Sequence, residues 1–468
     1  MWTSDTVQER LKTYEYELPL FMRDHHIPGL SLAITNRHEV LYAKAFGARQ
    51  LAHNLPNTVE TLHGIGSVSK SFTCFALLQL AEQGKLSVED PVKHYLDVSL
   101  DKDAHAPIRL RHLMSHTSGI PDLGIALVSI GRHLLDVEPF IPLSSDEDLF
   151  RYVNAAHERV LFPPGEKYFY FNGGFTLLAK IIEHVSGKTF SAYLRDHILT
   201  PLDMPQTCLD AADVAVRTNI ATGYHVHEGK AMPTAQMTDP YSQGAGGVIS
   251  SVMEMSNYLR CYLNQGKSPT GPLLQPHTLA QMFVIQPGSA NKYALFGTSG
   301  YGLGWGIMTD FLGQQVYQHG GSTLVSGAMA LLVPDQDLGI MVLGNNGTAP
   351  IGLVAFALLT LLLDKHPHDV LPFFITKSKF ALFAGDYRTQ SGITSAKVFA
   401  QGGMLYLEMT SKVFGTSTLP LIPDDPLITT NAFYTYDHGT RTAVEFFVDP
   451  ESKTPVHFKF ERALFTKQ

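Results

Sequence analysis

A serine and a lysine three residues apart are the first sign of chemistry in this chain. Gly66-Ser67-Val68-Ser69-Lys70-Ser71-Phe72 stands at the start of a segment with helical periodicity. On a helix, Ser67 and Lys70 share one face, a single turn apart. The positive end of the helix dipole favours an anionic oxygen at Ser67. A lysine pressed against a nucleophile in a dry cleft loses its proton near neutral pH, because burial disfavours the charged form. Taken alone, the pattern is better read as a plain helix start with Ser67 as N-cap and Lys70 in solvent.

Two further segments supply partners. Pro164-Gly165-Glu166-Lys167-Tyr168-Phe169-Tyr170-Phe171-Asn172 places a Tyr-x-Asn pair after a Pro-Gly turn. A loop tyrosine beside amines is expected to have a depressed pKa and to act as base or proton shuttle, and Asn172 has an amide to offer a substrate carbonyl. The plainer reading is an aromatic cluster packing a loop, which suits Tyr168 and Phe169. Tyr317-Gln318-His319-Gly320-Gly321-Ser322 ends a strand. Its glycines let a substrate backbone lie close to that strand. His319 is placed to hydrogen-bond substrate or adjust the Tyr/Lys network.

These residues need elements to hold them. Residues 5–25 carry Leu11, Tyr14, Leu18 and Phe21 at helical spacing, which predicts an amphipathic helix. Strands follow at Leu30–Thr35 and Val40–Phe46, joined across Asn36-Arg37-His38. Residues 68–83 predict a helix ending at Gly84. Residues 90–285 read as helix-rich. Strand signals return at Val316–His319, Ala328–Pro334 and Leu338–Leu343, before a helix at 350–363. This order predicts an α/β (α+β) fold: one antiparallel sheet built from both ends of the domain, flanked by helices, with a helical lobe across a cleft. The catalytic domain is expected over 1–365. Lys365-His366-Pro367-His368 reads as a linker, and 375–468 as a small all-β barrel or sandwich of short alternating strands.

In this order and at these spacings, the three motifs resemble those of the serine β-lactamase and penicillin-binding-protein superfamily, closest to class C-like S12 serine peptidases. Ile27-Pro28-Gly29-Leu30-Ser31, Leu113-Met114-Ser115-His116-Thr117-Ser118-Gly119-Ile120-Pro121 and Leu177-Leu178-Ala179-Lys180-Ile181-Ile182-Glu183 look like the family too. The resemblance covers about residues 10–365 and implies a β-lactamase/transpeptidase-like fold. By similarity, Ser67 is the acylated nucleophile, and Lys70 and Tyr170 share the general-base role. Asn172 orients the acyl side chain, and the backbone N–H groups of Ser67 and Ser322, beside Gly321, form the oxyanion hole. No metal or organic cofactor is implied. Leu382-Phe383-Ala384-Gly385-Asp386-Tyr387-Arg388 opens a module that resembles the lipocalin-like barrels appended to some S12 peptidases. That analogy leaves open shielding of the cleft, assembly into a homo-oligomer, or passive stabilisation.

The chain departs from the family pattern at two places. His319-Gly320-Gly321 stands where β-lactamases and many penicillin-binding proteins carry Lys-Thr-Gly. A mostly neutral histidine weakens the clamp on a substrate carboxylate, so strong β-lactamase activity is not expected, and D-aminopeptidases and related amidases are the nearer likeness. Phe171 replaces the usual serine between Tyr170 and Asn172, which narrows the cleft or points away from it.

Composition narrows the remaining classes. The 468 residues, 44% hydrophobic and 17% charged, suit an ordinary globular protein with a large core. The net charge of −8 disfavours nucleic acid and anionic membranes as partners. The three cysteines are too scattered for a disulfide framework or zinc site, and Asp24-His25-His26 lacks a partner spaced for metal. No signal-peptide pattern opens the chain, and the longest apolar run, Pro350–Leu363, falls short of the roughly 18–20 residues of a membrane span. A soluble cytoplasmic hydrolase is expected, acting on a small peptide, amide or ester. Carboxylesterase or acyltransferase activity on the same site is the alternative. A weak β-lactamase is less favoured, as is a non-catalytic binding protein, because Ser67, Lys70 and Tyr170 are all present.

Overall fold

The computed structural model describes residues 2–98, 106–135, 143–156, 160, 162–227, 229–291, 296–390, 392–413, 415–425, 427–449, 451 and 454–468. It divides into two compact units, residues 1–359 and 360–468.

The first unit is built on an eight-stranded antiparallel sheet. Its strands are β1 (Gly29–Thr35), β2 (Val40–Gln50), β3 (Leu55–Pro56), β4 (Ser299–Tyr301), β5 (Gly306–Phe311), β6 (Gln314–Ser322), β7 (Gly327–Val333) and β8 (Leu338–Gly344), in the order β4-β5-β6-β7-β8-β1-β2-β3. The first and last strands of the unit meet at the centre, where Leu32 pairs with Val342. The strands β1, β7 and β8 are buried along their whole length, which explains their near-continuous apolar sequence. The fold is therefore the α/β (α+β) class expected, with strands from both ends of the unit. The edge strand β4 escapes sequence reading because it lies in Ser299-Gly300-Tyr301-Gly302-Leu303-Gly304-Trp305-Gly306, whose glycine density reads as loop and which runs into the first residue of β5.

Helices α1 (Ser4–Leu11) and α2 (Tyr14–Asp24) replace the single helix expected over 5–25. Helix α3 (Ser69–Glu82) is buried from Ser69 through Leu80, so the face shared by Phe72, Phe75, Ala76 and Leu80 is only part of its apolar surface. A helix apolar on all sides belongs in a core, and this one packs against α5 (Asn172–Ser186) and α6 (Gln243–Gly246). Between them in sequence lies the short α4 (Leu110–Met114). Helix α7 (Val252–Leu263) covers the sheet over β8 and β1. The apolar run near 350–363 forms α8 (Ile351–Leu362), and no helix among the described residues is long and apolar enough to cross a membrane.

The second unit contains a closed eight-stranded barrel, Gly385–Thr389 through Ala463–Lys467, shut by pairing of its first and last strands at Tyr387 and Lys467. Where a linker and then only strands were expected, Pro367–Val370 makes a helical turn and Pro372–Phe383 a helix, each begun by proline at its first position. The Pro372–Phe383 helix has no single apolar stripe to reveal it. Its Phe380 and Phe383 join the barrel core, and Phe383 stacks on Phe446 at 4.4 Å.

Candidate active site

The turn Gly66–Val68 feeds directly into α3, so Ser67 stands at the helix start with Lys70 one turn on. Polar side chains of this helix are tied down by neighbours. Ser69 Oγ accepts from Val248 N–H at 3.0 Å, and Thr73 Oγ1 donates to the Gly244 carbonyl at 2.7 Å. These bonds draw the 244–248 segment against the helix and bring the Ala245 carbonyl to Lys70.

Lys70 is wholly buried, which removes the reading in which it is a solvated helix residue. Its Nζ lies 3.0 Å from Ser67 Oγ, 2.8 Å from Asn172 Oδ1 and 2.7 Å from the Ala245 carbonyl oxygen. It also sits 4.8 Å from the centroid of the Tyr170 ring. Burial lowers its pKa to about 7, opposed only in part by charges at Cys74 and Asp122. Nζ donates to Asn172 Oδ1 and to the Ala245 carbonyl, which only accepts, and its third contact is the Ser67 hydroxyl.

Tyr170 is hydrogen-bonded to Ser67, but its charge state is the reverse of the sequence expectation. Burial raises its pKa, and the Ser67 hydrogen bond offsets only part of that rise. Its ring lies against that of His116 at 4.1 Å, and burial favours the protonated phenol. Asn172 opens α5, and with Oδ1 engaged by Lys70 its NH₂ remains for a substrate carbonyl.

His319, Gly321 and Ser322 come from β6, which runs alongside the Ser67 turn. A Cβ at Gly321 would fall 1.9 Å from the Ile65 carbonyl oxygen and 3.0 Å from Ser67 N, and one at Gly66 would fall 2.5 Å from Ser322 N. Only glycine at both places lets strand and turn approach this closely, and Gly66 also has φ +50°. The backbone N–H groups of Ser67 and Ser322 thereby come to one place, while the Ser322 hydroxyl is occupied by the Gly347 carbonyl at 2.7 Å.

His319 is buried and saturated. Its Nδ1 is 2.7 Å from the Gly320 carbonyl oxygen and must donate to it, so Nε2 accepts from the Tyr301 hydroxyl, also at 2.7 Å. Burial, with the charge at Lys70, lowers its pKa to about 3. Tyr301 had no sequence signal, since it sits in the glycine-rich β4. The Ala245 carbonyl was equally invisible. A cavity of about 500 Å³ opens beside these groups, lined by Tyr168, Tyr170, Tyr301, Gln318 and His319 together with Ser289 and Asn291.

The Beta-lactamase family profile matches residues 5–360, and the Pab87 octamerisation domain profile matches residues 367–466. The octameric penicillin-binding protein homologue from Pyrococcus abyssi is similar at 31% identity and a TM-score of 0.87, over 98% of this chain and 100% of that one. Penicillin-binding protein 4 of Amycolatopsis lactamdurans is 26% identical over 332 residues, 70% of this chain and 83% of the relative. Protein flp of Staphylococcus aureus (strain MW2) is 26% identical over 348 residues, 73% of this chain. The chain spans 64% of the length of that protein.

Proposed function

Because the chain belongs to the beta-lactamase family of serine hydrolases, we propose that it cleaves small amide or peptide substrates through an acyl-enzyme on Ser67, with Lys70 as the base. The observation that carries this reading is the 3.0 Å contact between Lys70 Nζ and Ser67 Oγ, with the amine's other hydrogens already committed to Asn172 and Ala245. Neutral Lys70 takes the Ser67 proton as Oγ bonds to the substrate carbonyl carbon. The resulting oxyanion lies between the backbone N–H groups of Ser67 and Ser322, and each such donor is worth roughly 10²–10³ in rate. Protonated Tyr170 then gives its proton to the leaving nitrogen as the C–N bond breaks, and the Lys70 ammonium restores it. Water repeats the sequence to release the acid.

The neutral, fully hydrogen-bonded His319 supplies no cation for a substrate carboxylate, and no charged side chain among the described residues lines the cavity. Amides and peptides presenting uncharged groups there suit it better than β-lactams. A panel of D- and L-aminoacyl anilides, short-chain nitrophenyl esters and a chromogenic cephalosporin tests this. Anilide hydrolysis with poor cephalosporin turnover is expected. Fast cephalosporin turnover would overturn the reading of His319, and hydrolysis of esters alone would move the protein to the esterase or acyltransferase class.

We further infer that the chain forms a homo-oligomer through its barrel, since residues 367–466 match an octamerisation domain. Light scattering on the full chain is expected to give a multiple of 51.5 kDa. A monomer at micromolar concentration would rule this out.

A further inference from the structure

His116 touches no reacting atom, yet the arm that carries Tyr170 and Asn172 hangs on it. Helix α4 ends with Thr117 N–H bonded to the His112 carbonyl at 2.8 Å and His116 N–H to that of Leu113 at 3.3 Å. His116 therefore occupies the position past the helix end where glycine is usual, and its φ is +60°. A histidine backbone there carries a steric cost that glycine would not.

That backbone turns two acceptors of one residue toward the same loop. The His116 carbonyl accepts from Phe169 N–H at 2.9 Å, and its ring Nδ1 accepts from Phe171 N–H at 3.0 Å. The two bonds grip the chain on either side of Tyr170. A peptide N–H only donates, so the imidazole proton resides on Nε2. The ring is wholly buried, 4.1 Å from the Tyr170 ring and 4.9 Å from that of Tyr301, and Nε2 has no hydrogen-bond partner among the described residues. An unpartnered buried N–H is destabilising, because it loses its hydrogen bond to water and gains none. Packing alone does not account for a residue that is unfavourable in both backbone and side chain, since glycine would relax the turn and a hydrocarbon would fill the space. Such conformations persist where they hold a site in place.

We propose that His116 is a positioning residue for catalysis. Its two bonds set the Tyr170 backbone so that the phenol meets Ser67. Through Phe171, which caps α5, they set Asn172 against Lys70.

The role rests on the hydrolase reading, and three variants test it. His116→Asn tolerates the left-handed backbone and carries an acceptor oxygen at the place of Nδ1. His116→Gly keeps the turn and its carbonyl bond and loses only the ring. With an anilide or ester that the wild type hydrolyses, His116→Gly is expected to lower kcat about 10²-fold with KM changed less than about threefold, as misplacement by about 1 Å does. His116→Asn should recover at least about tenfold of that loss. In a Tyr170→Phe background, His116→Gly should cost at least about tenfold less than it does in the wild type, because one of the two groups it positions is gone. Equal losses in the Asn and Gly variants, or full multiplicative loss in the Tyr170→Phe background, would leave His116 a structural residue and overturn the proposal. A wild type that neither hydrolyses the panel nor reacts with a fluorophosphonate would instead overturn the hydrolase reading beneath it.

Discussion

Ser67→Ala is expected to lower hydrolysis by on the order of 10⁴-fold or more and to abolish labelling by a fluorophosphonate, with the fold intact. The hydroxyl is the atom that both Lys70 and Tyr170 contact, and it caps no helix, since the Gly66–Val68 turn and α3 have no side-chain cap bond. Its loss therefore removes the nucleophile without removing structural support. The oxyanion donors are backbone groups and survive the change, so weak catalysis over the background reaction should persist. Mass spectrometry of the labelled protein, together with kcat/KM, checks both parts. Undiminished labelling in the alanine variant would place the nucleophile elsewhere.

The second large effect is that of Lys70→Met, with activity expected to fall by about 10²–10⁴-fold, as for loss of a general base. In the wild type, kcat/KM should rise with pH through about 7, where Lys70 gives up its proton. Stability carries the same signature. The ordinary value for a lysine, 10.5, applies in the unfolded chain, while burial holds the folded group near 7. Between those values the unfolded state binds a proton that the folded state does not, so wild-type stability rises with pH across this window. Below about 7 both states are protonated and the full cost of burying the ammonium is present. The Met variant has no such term. Urea unfolding of both proteins from pH 6 to 10 should show the wild type gaining on the variant as pH rises. A difference constant with pH would mean that Lys70 keeps an ordinary pKa, and the neutral-amine mechanism would fall.

The sequence alone determined the parts whose signals are local. Ser67 and Lys70 share a face because helical geometry puts residues three apart on one side. Asn172 follows Tyr170 on the same short arm. The buried strands β1, β7 and β8 announce themselves as apolar runs, and the barrel as short alternating ones. His319 in place of a lysine was legible as a missing charge. What the tertiary structure decided depends on contacts that no local pattern encodes. Lys70 meets Ala245 across 175 residues and Asn172 across 102, and only there does burial bring its pKa down to about 7 beside the Ser67 hydroxyl. Tyr170 was expected to ionise readily and instead holds its proton. His319 had seemed free to reach substrate, yet Tyr301 and the strand carbonyl occupy both its nitrogens. His116 was visible only as part of a family-like segment, and its grip on the Tyr170 arm spans 55 residues. Residue type and spacing thus determined which groups could react. Burial and long-range hydrogen bonding decided their charge states and partners, because desolvation depends on everything packed around a group rather than on its neighbours in the chain.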